Sequence, residues 1–404
     1  MSKIAVVGGG PAGMMAAYAA ARQGQVWLFE KNEKLGKKLF LTGKGRCNIT
    51  NAAEMQRFFS SVRRNEKFLY SAFYGFTNQD LISLLKQNGL EIKEERGGRI
   101  FPVSDKSSDV IRTLERMLKN AGVHISLQAH VEDIVAQDGK ISGIFVNGKI
   151  LRFDKVILAT GGYSYPRTGS TGEGHIMAEK LGHRIEPIHP SLIPFVCADP
   201  VCGRLQGLAL KNTSLSLYEG KRRLFWGQGE MLFTHFGLSG PLVLSASAHL
   251  TDYSFSDTKV LIDLKPALDF AQLDRRILRD FDEFKDKVLK NAILKLYPRA
   301  LGVEVLEKAM LDGQKPVSIV TREERERLVA ATKAFGIKVL GVRSIEEAII
   351  TRGGINVREV NPSTMESRKI SGLFFAGEIL DLDAYTGGFN LQIAFSTGYL
   401  AGQG

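Results

Sequence analysis

The chain has 404 residues, 44% of them hydrophobic and 24% charged, and a formal charge of +11. That length exceeds one typical core, so two or three domains are expected, with the composition of a globular protein rather than a disordered one. No run of about eighteen apolar residues occurs, so no membrane-spanning helix is expected. Three cysteines (Cys47, Cys197, Cys202) make neither a disulfide framework nor a metal quartet.

No metal is therefore expected, and a reducing cytoplasm fits. The chain enters its first strand at once, which leaves no room for a signal peptide. A pI near 9.4 favours anionic partners. The charge is uneven. Residues 31–67 hold ten Lys or Arg against Glu33, Glu54 and Glu66. This is either a solvated basic face near a phosphate-bearing cofactor or a surface facing RNA.

Lys3 to Val7 is a short, β-branched apolar run. It enters Gly8-Gly9-Gly10-Pro11-Ala12-Gly13, then an Ala-rich helix to Gln23, then a second apolar run ending on Glu30. This is the dinucleotide-binding order of strand, glycine turn, helix, strand and acid. Gly8 permits the turn, Gly10 lets backbone approach a pyrophosphate, and Gly13 lets the helix pack close. The helix start offers unpaired N–H groups to phosphate. Glu30 can accept from ribose hydroxyls, with Lys31 beside it.

Residues 41–51 mix glycines, hydroxyls, amides and cations without periodicity. They predict a structured loop able to wrap a phosphate or a flavin edge, with Thr50 or Asn51 capping a following helix. Amphipathic helices are predicted over 77–89 and 107–122, and strands over 123–127, 131–135 and 141–146. Asp138-Gly139 and Asn147-Gly148 predict hairpin turns. A buried strand over 153–158 runs into Thr160-Gly161-Gly162, where a cofactor can come close.

A helix is expected up to Leu181. Residues 191–265 and 315–344 read as β-rich, residues 269–311 as helical, and 322–334 as a further charged helix. From Gly372 the opening texture returns: a strand ends at Gly377-Glu378, and a glycine turn through Gly388 feeds a C-terminal helix. One domain is thus discontinuous, residues 1–190 with 345–404, and is interrupted by a substrate or cap domain over 191–344.

One complete GxGxxG is present, and a flavoprotein binding NAD(P)H in a Rossmann domain of its own usually shows two. Recurring glycine sites along the chain suit a long, enclosed dinucleotide. FAD fits better than NAD, with its adenosine end at Gly8–Gly13 and its isoalloxazine near the helix start beyond Gly388.

Four sets of residues carry a closer likeness: Gly43 to Asn51, Pro166 to Gly172, Phe233 to Pro241, and Ala376-Gly377-Glu378 with Thr386 to Asn390. In these motifs the chain resembles the bacterial flavoprotein family that includes flavin-dependent bile-acid enone reductases and a 23S ribosomal RNA dihydrouridine synthase. The resemblance covers essentially the whole chain. It implies an α/β fold: a glutathione-reductase-like, Rossmann-type FAD domain interrupted by a β-barrel-like and helical segment. It implies FAD contacts at Glu30, Lys38, Thr42, Gly43, Gly45 and Arg46. Further contacts are implied at Cys47, Val131, Gly377, Glu378, Asn390 and Leu391.

Both family activities add hydride to an electron-poor C=C bond and then a proton, with NAD(P)H as transient reductant. Cys47 is a candidate acid, or a small buried residue beside the flavin. His235 is a candidate donor to a carbonyl oxygen, or satisfies a core hydrogen bond. Arg167 is a candidate anion holder, and Tyr165 and Tyr385 are further acids or packing residues. The resemblance and the charge together favour reduction of a 23S rRNA uridine to dihydrouridine; the alternatives are reduction of a small steroid-like enone, or a non-catalytic RNA-binding flavoprotein. For RNA, Phe58, Phe59, Phe68 and Tyr70 offer stacking surface or belong to the core.

Overall fold

The opening run forms a strand, Ser2–Val7, because its β-branched residues are buried between two neighbours on a sheet. The computed structural model describes residues 1–250 and 253–404; Thr251 and Asp252, within the stretch expected to be β-rich, lie outside the described residues. The chain forms two units, Met1–Ser191 with Ser344–Gly404, and Leu192–Arg343.

The first unit is built on a five-stranded sheet in the order Leu373–Phe375, Lys155–Leu158, Ser2–Val7, Gly24–Glu30, His124–Leu127. Every pair is parallel. The chain leaves the central strand on one side and returns on the other. The switch point therefore falls between Ser2–Val7 and Lys155–Leu158, whose carboxyl ends are the Gly8 turn and Ala159-Thr160.

Two helices close this unit against each other. Pro11–Ala20 is the fingerprint helix, and Phe389–Gln403 ends the chain. Their contact is backbone on backbone. A Cβ on Gly398 would stand 2.3 Å from the Ala12 carbonyl oxygen, and one on Gly402 would stand 2.4 Å from that of Ala16. Both helices are buried on most sides; the first is apolar nearly all round, and the last adds buried Gln392, Ser396 and Thr397 to its apolar residues.

The predicted hairpins form. Val131–Gln137, Lys140–Val146 and Lys149–Arg152 make an antiparallel meander. Its turns put Asp138, Gly139, Asn147 and Gly148 at φ of 50°, 73°, 48° and 75°, the mirror-image turn these dipeptides favour. The helix at 77 spans Asn78–Gln87 under a Thr77–Asp80 capping box.

Other expectations are corrected. Residues 41–51 are not all loop: Lys37–Leu41 is a short helix, Thr42–Gly45 a tight turn, and Thr50–Asn51 a strand. Asn51 caps no helix. Its Oδ1 accepts from the Ala53 N–H, and its Nδ2 donates to the carbonyls of Gly97 and Gly387. The hairpin Ile92–Glu95 with Arg99–Pro102 and the helices Met55–Ser61 and Tyr70–Gly75 were not expected.

The second unit is a closed barrel of six strands: Phe195–Cys197, Gly237–Ser239, Arg222–Thr234, Ala209–Glu219, Thr258–Asp263 and Phe335–Val342. Leu215, Leu217, Phe233, Val260, Ile262 and Phe335 fill its core. Helices Phe270–Glu283 and Arg322–Lys333 start from capping boxes at Asp269 and Thr321. Residues 315–344, read as β-rich, hold the second of these helices and only one strand.

Replacing Gly398 with Ala puts a methyl group against the Ala12 carbonyl. Chemical denaturation should show a loss of about 1–3 kcal/mol, the cost of overpacking; unchanged stability would mean the helices are not held at this distance.

Candidate functional site

The glycine turn divides its labour. Gly8, at φ +105°, and Gly13 are packing residues: a Cβ would stand 2.5 Å from the Ala159 oxygen and 1.8 Å from the Gly8 oxygen respectively. Nothing lies within 4 Å of a Cβ built on Gly10. Gly10 also heads the helix without any side-chain cap, so the N–H groups of the first turn face an open cradle. Thr160, at the end of the neighbouring strand, has a buried hydroxyl with no hydrogen-bond partner. Gly161 beside it is held at φ +77°.

Glu30 is buried and aimed at this turn. Its Oε2 accepts from the Gly9 N–H at 2.7 Å, and its Oε1 from the Asn32 N–H and Nδ2 at 2.8 and 2.6 Å. Lys31 reaches the 168–174 loop, where Nζ donates to Thr171 and Glu173 at 2.8 Å each. Val131 is buried at the start of the meander.

Lys38 and Glu378, 340 residues apart, meet at 2.6 Å. Lys38 Nζ also donates to Ser164 Oγ at 2.7 Å. Glu378 Oε1 accepts from Ser164 Oγ at 2.9 Å and from the Thr351 N–H at 2.8 Å. Four distant segments are thus pinned around one half-buried ion pair. Gly377, at φ +79°, sits against Ala12, where a Cβ would be 2.7 Å from that methyl. Gly388, at φ +98°, sits against the backbone of Thr50. Asn390 clamps the turn before the last helix, accepting from the Ala384 N–H at 2.8 Å and donating to its carbonyl at 2.7 Å. Leu391 follows, half-buried.

Gly43, Lys44, Gly45 and Cys47 all have positive φ, between 59° and 84°. Nothing lies within 4 Å of a Cβ on Gly45, so this turn also presents open backbone. Thr42 Oγ1 donates to the Leu39 carbonyl. The Arg46 guanidinium is engaged by Glu95 and Asp105 and lies 4.2 Å from the Phe101 ring. Those carboxylates, Glu95 first, hold its pKa above the ordinary value.

Cys47 is wholly enclosed. Burial pushes its thiol up to about 12, against a small opposing pull from Thr42. That is the environment of a packing residue rather than an activated thiol. Arg167 is exposed on the Pro166–Thr168 turn. His235 lies in the other unit, exposed in the turn between Arg222–Thr234 and Gly237–Ser239. Its alternative as a core hydrogen-bonding residue is therefore corrected.

Of the ten cations in 31–67, five hold carboxylates: Lys31, Lys37, Lys38, Arg46 and Arg64. Phe58 and Phe68 belong to the core. Phe59 stacks on Tyr70 at 4.5 Å, and Tyr70 on Tyr74 at 6.1 Å, with Tyr70 and Tyr74 53% and 63% exposed. Thr351 and Ser164 went unnoticed in the sequence, because only the folded chain brings them to Glu378.

A family model described as an HI0933-like protein Rossmann domain matches residues 2–404. The chain belongs to this HI0933-like Rossmann family. It is 31% identical over 409 residues to a 3-dehydro-bile acid delta(4,6)-reductase of Clostridium scindens, covering 100% of this chain and 98% of the relative. It is 30% identical to a ribosomal RNA dihydrouridine synthase of Haemophilus influenzae, covering 98% and 96%. In fold it is similar to the 3-ketosteroid-delta4-(5alpha)-dehydrogenase of Rhodococcus jostii RHA1, with a TM-score of 0.53 and 16% identity over 100% of this chain and 96% of that one. This HI0933-like chain is an oxidoreductase. Among the described residues no helix is long and apolar enough to cross a membrane.

The enclosed thiol makes a direct prediction. Iodoacetamide at neutral pH should leave Cys47 unmodified in the native protein and alkylate it after unfolding, read by peptide mass spectrometry; rapid native labelling would contradict the burial.

Proposed function

We propose that the chain is a cytoplasmic FAD-dependent reductase that uses NAD(P)H to reduce a conjugated C=C bond, acting on a uridine of 23S rRNA or its precursor to give dihydrouridine. The observation that carries the reading is the cradle at the sheet's switch point. Open backbone at Gly10 and an uncapped helix start lie at that point, and Gly377 of the returning chain closes against Ala12. These are groups an extended dinucleotide would satisfy.

In this reading Gly8–Gly13 hold the pyrophosphate and Glu30 the ribose. Lys38, Glu378 and Asn390 fix the segments that border the isoalloxazine. FAD, when bound, supplies a hydride to the electron-poor carbon. The residues of this chain exclude water, hold the carbonyl and provide the proton. The discontinuous unit, 1–190 with 345–404, is the FAD domain of this proposal, and 191–344 recognises substrate.

RNA is favoured by the excess of positive charge and by the exposed Tyr70–Tyr74 stack, which suits bases already out of a duplex. The full-length H. influenzae relative supports it. A second reading, reduction of a small steroid-like enone, is favoured by the full-length C. scindens relative.

Replacing Glu30 with Ala should weaken FAD retention by roughly 10- to 100-fold, the worth of one charge-assisted hydrogen bond. Flavin absorbance per chain measures this; full occupancy in the variant would refute the role. Deleting the gene should abolish one dihydrouridine in 23S rRNA, read by nucleoside mass spectrometry, whereas an unchanged level would remove the RNA reading and leave the enone.

A further inference from the structure

Within the first unit, residues 61–63 run antiparallel to 383–385. Val62 bridges Ala384, the Arg63 N–H donates to the Asp383 carbonyl at 2.8 Å, and the Tyr385 N–H donates to the Ser61 carbonyl at 3.0 Å. This short ladder sets Arg63 over Tyr385. Arg63 Nη1 donates to the phenol oxygen at 2.9 Å, and the guanidinium lies 5.1 Å from the ring centre. Because arginine only donates, the phenol's own hydrogen is not used in that contact.

Asp383 is close enough to both residues for its charge to act on them. It is buried, its Oδ2 accepts from Ser191 Oγ at 2.8 Å, and its Oδ1 has no hydrogen-bond partner. Burial raises its pKa, while Ser191, Arg352 and Arg63 pull the other way. A buried carboxyl with an idle oxygen beside an Arg–Tyr pair costs stability, and such costs concentrate where chemistry is done.

We propose that Tyr385 is the proton donor of the reduction and Arg63 its positioning residue. This rests on the FAD reading above. Tyr385 stands three residues before Gly388, the start of the last helix, and Asn390 fixes that turn through Ala384. In that reading the isoalloxazine borders this helix start. As the hydride reaches the β-carbon, the π pair of the C=C bond moves onto the α-carbon and carbonyl as an enolate. The O–H bond of Tyr385 breaks, its proton forms the α C–H bond, and its electron pair remains as a phenolate steadied by Arg63. Water reprotonates the phenolate, and a reduced nicotinamide returns the electrons. Burial holds the Tyr385 phenol above its ordinary pKa, with Arg63 and Arg57 opposing and Asp383 adding to the rise, so the acid form is present at neutral pH.

The test uses holoenzyme, with cyclohexenone and a 23S rRNA transcript as probes. Tyr385→Phe should keep its flavin, accept electrons from NADPH at the wild-type rate, and lose about 100-fold or more in flavin reoxidation by whichever probe the wild type reduces. Equal loss in both half-reactions, or none, overturns the proposal. In protein carrying tyrosine labelled at Cζ, NMR should show Arg63→Gln moving the Tyr385 titration to higher pH, with its midpoint at about tenfold lower proton concentration; an unmoved titration overturns Arg63's part. A wild type that binds FAD but is reoxidised by neither probe sinks the function reading and the acid with it. A wild type that reacts while Tyr385→Phe does so equally sinks the acid alone.

Discussion

The rest of the first unit depends on two helices approaching closely enough for their backbones to touch. Gly398 and Gly402 on the last helix meet the carbonyls of Ala12 and Ala16 on the first. Only small residues permit this, because any Cβ on the glycines would fall inside a carbonyl oxygen's contact radius. The approach fixes what stands at the helix ends. It brings Gly377 onto Ala12 at the glycine turn and helps seat Gly388 on Thr50, so residues more than three hundred positions apart share one cradle.

Polar contacts complete that arrangement. Thr50 Oγ1 bonds the buried Gln392 at 2.7 Å, Asn51 donates to the Gly387 carbonyl, and Lys38 pairs with Glu378. Each ties the segment after the second strand to the returning chain. A half-buried pair with hydrogen bonds on both partners is worth more than an exposed one, because its remaining sites are satisfied and water screens it less. The cations of 31–67 serve this architecture as much as any partner. Half of them neutralise carboxylates within the fold, and the net charge alone overstates how much of that stretch is available to bind an anion.

The βαβ opening was legible because its signals are local: glycines for steric need, an Ala-rich helix, and an acid one strand later. The Asp138-Gly139 and Asn147-Gly148 turns were legible for the same reason. The hairpin around Gly97-Gly98 escaped because Ile92–Glu95 is polar and shows little alternation. Asn51 was misread as a cap because the chemistry that suits a cap also suits its true task, bonding two carbonyls and an N–H of distant segments. Cys47 illustrates a different limit. Flanking cations suggested a tuned thiol, but Arg46 turns to Glu95 and Asp105, and burial outweighs the pull of Thr42 on the sulfur. The Arg63–Tyr385 pair needed the folded chain, since 322 residues separate its members.

The account stands on one extended flavin dinucleotide being held between the opening glycine turn and the returning carboxyl-terminal segment. Native mass spectrometry of the purified protein tests this most directly. The account predicts a mass increment of one FAD per chain, restored by added FAD after stripping. A chain that carries no flavin, and takes none up when FAD is supplied, would contradict it.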